Sequence, residues 1–201
     1  NDSPIGVFDS GIGGLTVFDA IRRRMPSENL VYFGDTAHVP YGTKSPEAVG
    51  RYSFEVARYL DHRGIKALVV ACNTSSAVAL PKVRRGTRVP VIGVILPGAK
   101  AAVEASRNGS IGIIGTEATI SSGAYTRAVT GLRPKARVTG IACPLFVPLV
   151  EEGWWDDAVT EAVARRYLAP MRRAGVDTLI LGCTHYPLLK DVVARVMGKD
   201  I

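Results

Sequence analysis

The sequence predicts an α/β fold of two similar lobes, each a mainly parallel sheet covered by helices, with an active site in the cleft between them. Three observations lead there. Short apolar runs alternate with longer amphipathic stretches, the signature of strand–helix–strand units. The apolar runs are nearly continuous rather than alternating, as in a sheet covered on both faces. The two halves also echo each other: "IGVFDSGIGG" from Ile5 returns as "IGIIGTEATIS" from Ile111, and "LVVACNTSS" from Leu68 as "LILGCTHYP" from Leu179. Gly6 precedes Cys72 by 66 positions and Gly112 precedes Cys183 by 71, so the spacing nearly repeats.

In chain order the expected strands are Ile5–Phe8, Leu30–Phe33, Ala67–Ala71, Val91–Val94, Ile111–Ile114, Ala136–Ala142 and Thr178–Leu181. Between them lie helical patterns such as Gly14–Met25, Pro46–Arg63 and Asp156–Ala174, with the lobes joined near Pro97. In open α/β sheets, ligands bind beyond the carboxyl ends of the strands. Cys72 and Cys183 both fall at such ends, so two facing lobes would present one thiol from each side of a cleft.

Composition narrows the function. The chain has 201 residues, 47% of them hydrophobic and 21% charged, a globular balance rather than a disordered one. No apolar run approaches the roughly 18–20 residues that span a bilayer. The start shows no charged leader followed by an apolar block, and a cytoplasmic protein is expected. Three cysteines, Cys72, Cys143 and Cys183, form an odd and sparse set that suits a reducing compartment. None makes a C-x-x-C pair, so no metal site is expected. The net charge of +7 comes from short pairs such as Arg84-Arg85 and Arg165-Arg166, spread along the chain with acids between them. Solvated helix faces account for that pattern, and no nucleic-acid or membrane partner is expected. "GIGGLT" places Thr16 where a dinucleotide fingerprint needs its third glycine, and there is no phosphate-binding Walker motif.

The cysteines carry the remaining chemistry. Asn73, Thr74, Ser75 and Ser76 follow Cys72 and are good helix-start residues. A helix N-terminus favours an anion, so the thiol pKa is expected to fall from about 8.5 toward neutrality. Thr184 and His185 follow Cys183, and an imidazole two residues on can polarise a thiol or a substrate group. Asp9 and Ser10 end the first strand, where an acid suits an ammonium group or a neighbouring thiol. "GDTAHVPYGTKS" is a turn-rich loop whose backbone N–H groups and Tyr41 phenol could meet a carboxylate. Two opposed thiols suggest a proton taken from one face of a carbon and returned to the other.

"VVACNTSSAV" and "LILGCTHYPLL", with "GVFDSGIGGLTV", "YFGDTAHVPYG", "VPVIGVILPG" and "IGIIGTEATI" in the same order, resemble the glutamate racemases of the wider aspartate/glutamate racemase group, over essentially the whole chain. The resemblance implies an isomerase: cofactor-independent interconversion of L- and D-glutamate, supplying D-glutamate for peptidoglycan. By match, Cys72 and Cys183 are the acid/base thiols, assisted by Asp9 and His185. Glu151, in "FVPLVEEG", matches an acid near the second thiol. Asp9, Ser10, Tyr41, Gly42, Asn73, Thr74, Thr184 and His185 are expected to line the substrate site, with Thr116 and Thr119 adding hydrogen bonds. Cys143 has no such match and is read as structural. Members of the group usually continue for some tens of residues with a segment that returns to the first lobe. The expected domains are therefore residues 1–96, completed by that later segment, and 97–201. Helix faces leave room for a homodimer. The rival readings are a related two-thiol racemase or isomerase acting on aspartate, hydantoins or maleate, and a non-catalytic protein that binds small anions.

Overall fold

A computed structural model describes residues 2–198 and 201. Its first strand, Ile5–Asp9 (β1), is buried at all five positions, which a run of this kind achieves only when both faces of the sheet are covered. Leu15–Arg24 (α1) leads to Leu30–Gly34 (β2), and Pro46–His62 (α2) leads to Ala67–Val70 (β3). Two short helices, Asn73–Val78 (α3) and Leu80–Arg85 (α4), precede Val91–Gly93 (β4). These strands pair in parallel in the order β2-β1-β3-β4, with Phe8 opposite Phe33 on one side and Val70 on the other. Helix α2 starts where Ser45 accepts the Ala48 N–H at 3.2 Å and Pro46 occupies the first helical position. Its buried residues Val49, Val56, Ala57 and Leu60 recur at helical spacing and pack with Phe8, Leu68 and Val70.

The design repeats. Ile95–Ala105 (α5) precedes Ser110–Gly115 (β5), again buried throughout. Glu117–Ser121 (α6) and Ala124–Leu132 (α7) lead to Arg137–Ala142 (β6), and Phe146–Glu151 (α8) and Ala158–Arg173 (α9) to Thr178–Gly182 (β7); Lys190–Met197 (α10) follows. The sheet order is β6-β5-β7, all parallel. Helix α9 begins at Asp157, whose carboxylate accepts the Val159 N–H at 2.7 Å. It buries Ala164, Leu168 and Met171 against Val192, Val193 and Val196 of α10. Gly112 makes room for that packing: a Cβ there would lie 2.4 Å from the Met171 sulfur.

The chain divides into two compact units, Asn1–Val94 and Ile95–Ile201, each with its own core. Pro97 lies inside α5. Each expected strand is present, with no end moved by more than one residue. The ladders run on through Asp9, Gly34, Ser110, Gly115 and Gly182, because backbone pairing continues where the apolar run has stopped. Among the described residues, no helix is long and apolar enough to cross a membrane.

In both units the first strand of the sheet lies between the next two in sequence, so successive crossovers leave it in opposite directions. Such a switch point opens a crevice at the strand carboxyl ends, here between β1 and β3 and between β5 and β7. The packing of α9 predicts that Leu168→Ala costs about 2–5 kcal/mol. Urea unfolding should show this as a lower midpoint at unchanged slope, and a loss below about 1 kcal/mol would contradict a close-packed core at this position.

Candidate active site

The first thiol site is built on the ends of β1 and β3. Asp9 is fully buried, and its Oδ2 accepts the N–H groups of Gly11 at 3.1 Å and Gly14 at 3.0 Å. A buried carboxylate needs such donors to offset its lost hydration. Gly14 has to lack a side chain, because a Cβ there would sit 2.4 Å from the Asp9 Cβ and 2.9 Å from the Tyr32 hydroxyl. Tyr32 in turn donates to the Gly11 carbonyl at 2.6 Å and secures the same turn. Strand β1 aligns with β3 so that the Ala71 N–H meets the Phe8 carbonyl, which sets Cys72 beside the end of β1.

Cys72 is 4% exposed and caps α3. Its Sγ accepts the Ser75 N–H at 3.4 Å and lies 3.7 Å from the Ser10 hydroxyl oxygen. The expected fall of its pKa does not occur. Burial and the neighbouring Asp9 carboxylate push the thiol up to about 12, and the hydrogen bonds from Ser75 and Ser10 only partly oppose them. Loss of hydration and a like charge outweigh the donors at the start of a six-residue helix. The thiol therefore keeps its proton at neutral pH. Asn73 and Thr74 are buried in the first turn of α3. Tyr41 packs edge-on against Phe8 with ring centroids 6.3 Å apart, in the short 3₁₀ turn Tyr41–Thr43 that also holds Gly42.

The second thiol site occupies the ends of β5 and β7. Cys183 follows β7 directly and is 7% exposed. The His185 Nδ1 lies 3.8 Å from its Sγ, within reach for proton exchange. The other ring nitrogen, Nε2, is buried and forms no aligned hydrogen bond, yet it stands 3.3 Å from Oε1 of Glu151 at the end of α8. The pair is thus close enough to attract when the ring is charged, and the carboxylate sits half in water. Thr184 is buried beside the thiol. Thr116 follows β5 and caps α6, accepting the Thr119 N–H at 3.2 Å and donating to the Thr119 hydroxyl at 3.0 Å.

The expected residues therefore gather in two sets: Asp9, Ser10, Cys72, Asn73 and Thr74 with the Tyr41-Gly42 turn, and Glu151, Cys183, Thr184 and His185 with Thr116 and Thr119 on the neighbouring strand end. Cys143 belongs to the core of the second unit, where burial pushes its thiol up to about 12 and its carbonyl accepts the Tyr186 hydroxyl at 2.9 Å. Tyr32, Asp35 and Tyr125 were not singled out from the sequence. Asp35 lies within the "YFGDTAHVPYG" motif, which could have shown it. Tyr125 had no such signal: it lies in α7, an ordinary amphipathic helix, and its ring packs 3.3 Å from where a Gly182 Cβ would stand. Burial and the charge of Cys183 both disfavour its ionisation. Among the described residues, no group of three or more His, Cys, Asp or Glu side chains could hold a metal ion.

Known proteins match this chain along nearly all of its length. The family model for Asp/Glu/hydantoin racemases matches residues 5–201. A glutamate racemase of Geobacter metallireducens is 57% identical over 98% of this chain and 73% of its own length. The crystal structure of a glutamate racemase isoform from Bacillus anthracis superposes with a TM-score of 0.95 at 44% identity, over 99% of this chain and 75% of that one. A Francisella tularensis glutamate racemase, solved in complex with D-glutamate, gives 0.93 at 40% identity, over 98% and 74%. With a family model spanning both thiol sites and relatives this similar, the chain belongs to the Asp/Glu/hydantoin racemase family.

Proposed function

We propose that the protein interconverts L- and D-glutamate, with Cys72 and Cys183 as its two acid/base groups, and that the D-glutamate formed serves peptidoglycan synthesis. The observation that carries this reading is the repeated placement of a buried thiol at the carboxyl end of the third strand in sequence of each sheet, each with a different ionisable neighbour. The 57% identity to a glutamate racemase supports glutamate as the substrate.

Inversion at Cα requires a proton to leave one face and another to arrive at the opposite face, so each face needs its own acid/base group. A thiolate takes the Cα proton and an S–H bond forms, while the C–H electron pair passes into the enediolate of the substrate carboxylate. The other thiol then gives its proton to the opposite face, and its S–H pair remains on sulfur as a thiolate. Thiol and thiolate have exchanged places, and the reverse reaction starts from that state. Cys72, raised to about 12, holds its proton and acts first as the acid. The thiolate it becomes is destabilised by burial and by Asp9, which makes it a strong base for the return. His185, 3.8 Å from Cys183, is placed to take that thiol's proton and prepare it as the opposing base. Ser10, Asn73, Thr74, Thr116, Thr119 and Thr184 are assigned to hold the substrate's polar groups. The chemistry moves protons alone and calls for no cofactor. In this reading the enzyme works in the cytoplasm.

Cys72→Ala and Cys183→Ala should each lower racemisation by about a thousandfold or more, since each removes one acid/base group outright. The assay follows the optical rotation of L-glutamate and deuterium entry at Cα in deuterated water, with folding checked by circular dichroism. Full activity in either variant would sink the two-thiol reading, and turnover of aspartate but not glutamate would reassign the substrate. The charge on Asp9 is one cause of the raised Cys72 pKa, so Asp9→Asn should lower that pKa and speed alkylation of Cys72 by iodoacetamide at about pH 8. Peptide mass spectrometry reads this directly. Slower alkylation in the variant would contradict the electrostatic role.

A further inference from the structure

The loop between β2 and α2 is organised around one carboxylate that the proposed chemistry does not use. Asp35 is 7% exposed, and its backbone N–H donates to the Asp9 carbonyl at 3.0 Å, so it is tied to the strand end that carries the first thiol site. Its Oδ2 accepts the Tyr41 hydroxyl at 2.6 Å. The His38 Nδ1 lies 2.9 and 3.0 Å from its two oxygens, and an acceptor of this kind requires that nitrogen to carry the hydrogen. Both partners are themselves packed. The His38 ring stacks on Tyr52 of α2 at 3.9 Å and 18°, and Tyr41 is 1% exposed against Phe8 and Tyr52. One carboxylate therefore gathers side chains from three and six positions along the chain and closes the loop onto β1 and α2. Bonds to a charged acceptor are the stronger kind, and a buried carboxylate is costly without them.

We infer that Asp35 is a positioning residue for the reaction proposed above, on which this inference rests: through Tyr41 and His38 it holds the Tyr41-Gly42 segment in the conformation that receives substrate. The phenolic proton of Tyr41 is committed to Asp35, so the hydroxyl serves the loop. Burial first, and then the bond to and charge of Asp35, keep that phenol un-ionised, and the nearby Cys72 and Asp9 act in the same direction. Asp35 therefore acts on substrate binding and leaves the proton-transfer groups unchanged.

The test is steady-state kinetics of the purified protein with L-glutamate, comparing wild type, Asp35→Ala, Asp35→Asn, Tyr41→Phe and the Asp35→Ala/Tyr41→Phe double variant. Asp35→Ala and Tyr41→Phe should each raise KM by about tenfold while kcat stays within about twofold, since a binding contact shared by ground state and transition state is lost. The double variant should be no worse than Asp35→Ala, because both substitutions break the same unit. Asp35→Asn keeps an acceptor for Tyr41 and should recover part of the loss. If Asp35→Ala does not fold, Asp35→Asn, Tyr41→Phe and their double variant decide by the same criterion. A fall in kcat at unchanged KM would overturn the inference. So would KM effects that multiply in the double variant, which would mean that the Tyr41 hydroxyl meets the substrate independently of Asp35. Wild type is measured first: if it does not racemise glutamate, the functional reading fails and this inference with it, whereas active wild type with unchanged KM in the Asp35 variants overturns the inference alone.

Discussion

A carboxylate without exposure to water sits at the end of the first strand, and the first thiol site takes its form from it. The Asp9 side chain holds the Gly11 and Gly14 amides, while its carbonyl accepts the Asp35 amide. One residue thereby ties down the turn after β1 and the start of the loop after β2. The close approach leaves no space for a side chain at Gly14, and Tyr32 closes the turn from the other strand. Burial first, and then the like charge of this carboxylate, raise the energy of a thiolate beside it, so Cys72 holds its proton.

The two sheets share a plan and differ in chemistry. In each, a wholly buried first strand lies between its two successors, and a thiol follows the third. Beside Cys72 stands a carboxylate bound to backbone amides; beside Cys183 stands an imidazole with one nitrogen near the sulfur and the other near Glu151. A two-base inversion needs its partners in opposite protonation states at the start of each turnover. The unlike neighbours give the two thiols different electrostatic surroundings. In the proposed reaction, a neutral His185 imidazole would accept a proton on one nitrogen while the other faces Glu151.

Close packing in the middle of each sheet keeps these ends in place. Gly6 and Gly112 sit at matching points of β1 and β5, and matching side chains press on both: a Cβ would come within 3.1 Å of Ile65 and 3.4 Å of Leu68 at the first, and within 3.0 Å of Val176 and 2.9 Å of Leu179 at the second. The repeated glycine thus has a repeated cause, side chains at and just before the start of the third strand resting on the central one. Interiors packed to this density transmit small displacements rather than absorb them, so the strand ends that carry the thiols inherit the rigidity of the cores beneath.

Much of this was legible in the residues themselves. Continuous apolar runs such as Ile111–Ile114 mark strands buried on both faces, Ser45-Pro46 marks a helix start, and the echo of "LVVACNTSS" in "LILGCTHYP" places both thiols at strand ends. These are local signals, written in neighbouring side chains and their spacing. What only the tertiary structure decided depends on groups far apart in the chain. The direction of the Cys72 pKa turned first on burial that no helix-start pattern reports, and then on Asp9, 63 residues away. Tyr125 reaches Gly182 from a helix with an ordinary amphipathic pattern. The phenol of Tyr41 donates to the carboxylate of Asp35, a pairing that the turn-rich loop sequence does not spell out. Sequence spacing determines which residues can share an element; charge and burial in three dimensions determine which of them hold a proton and which of them hold a loop.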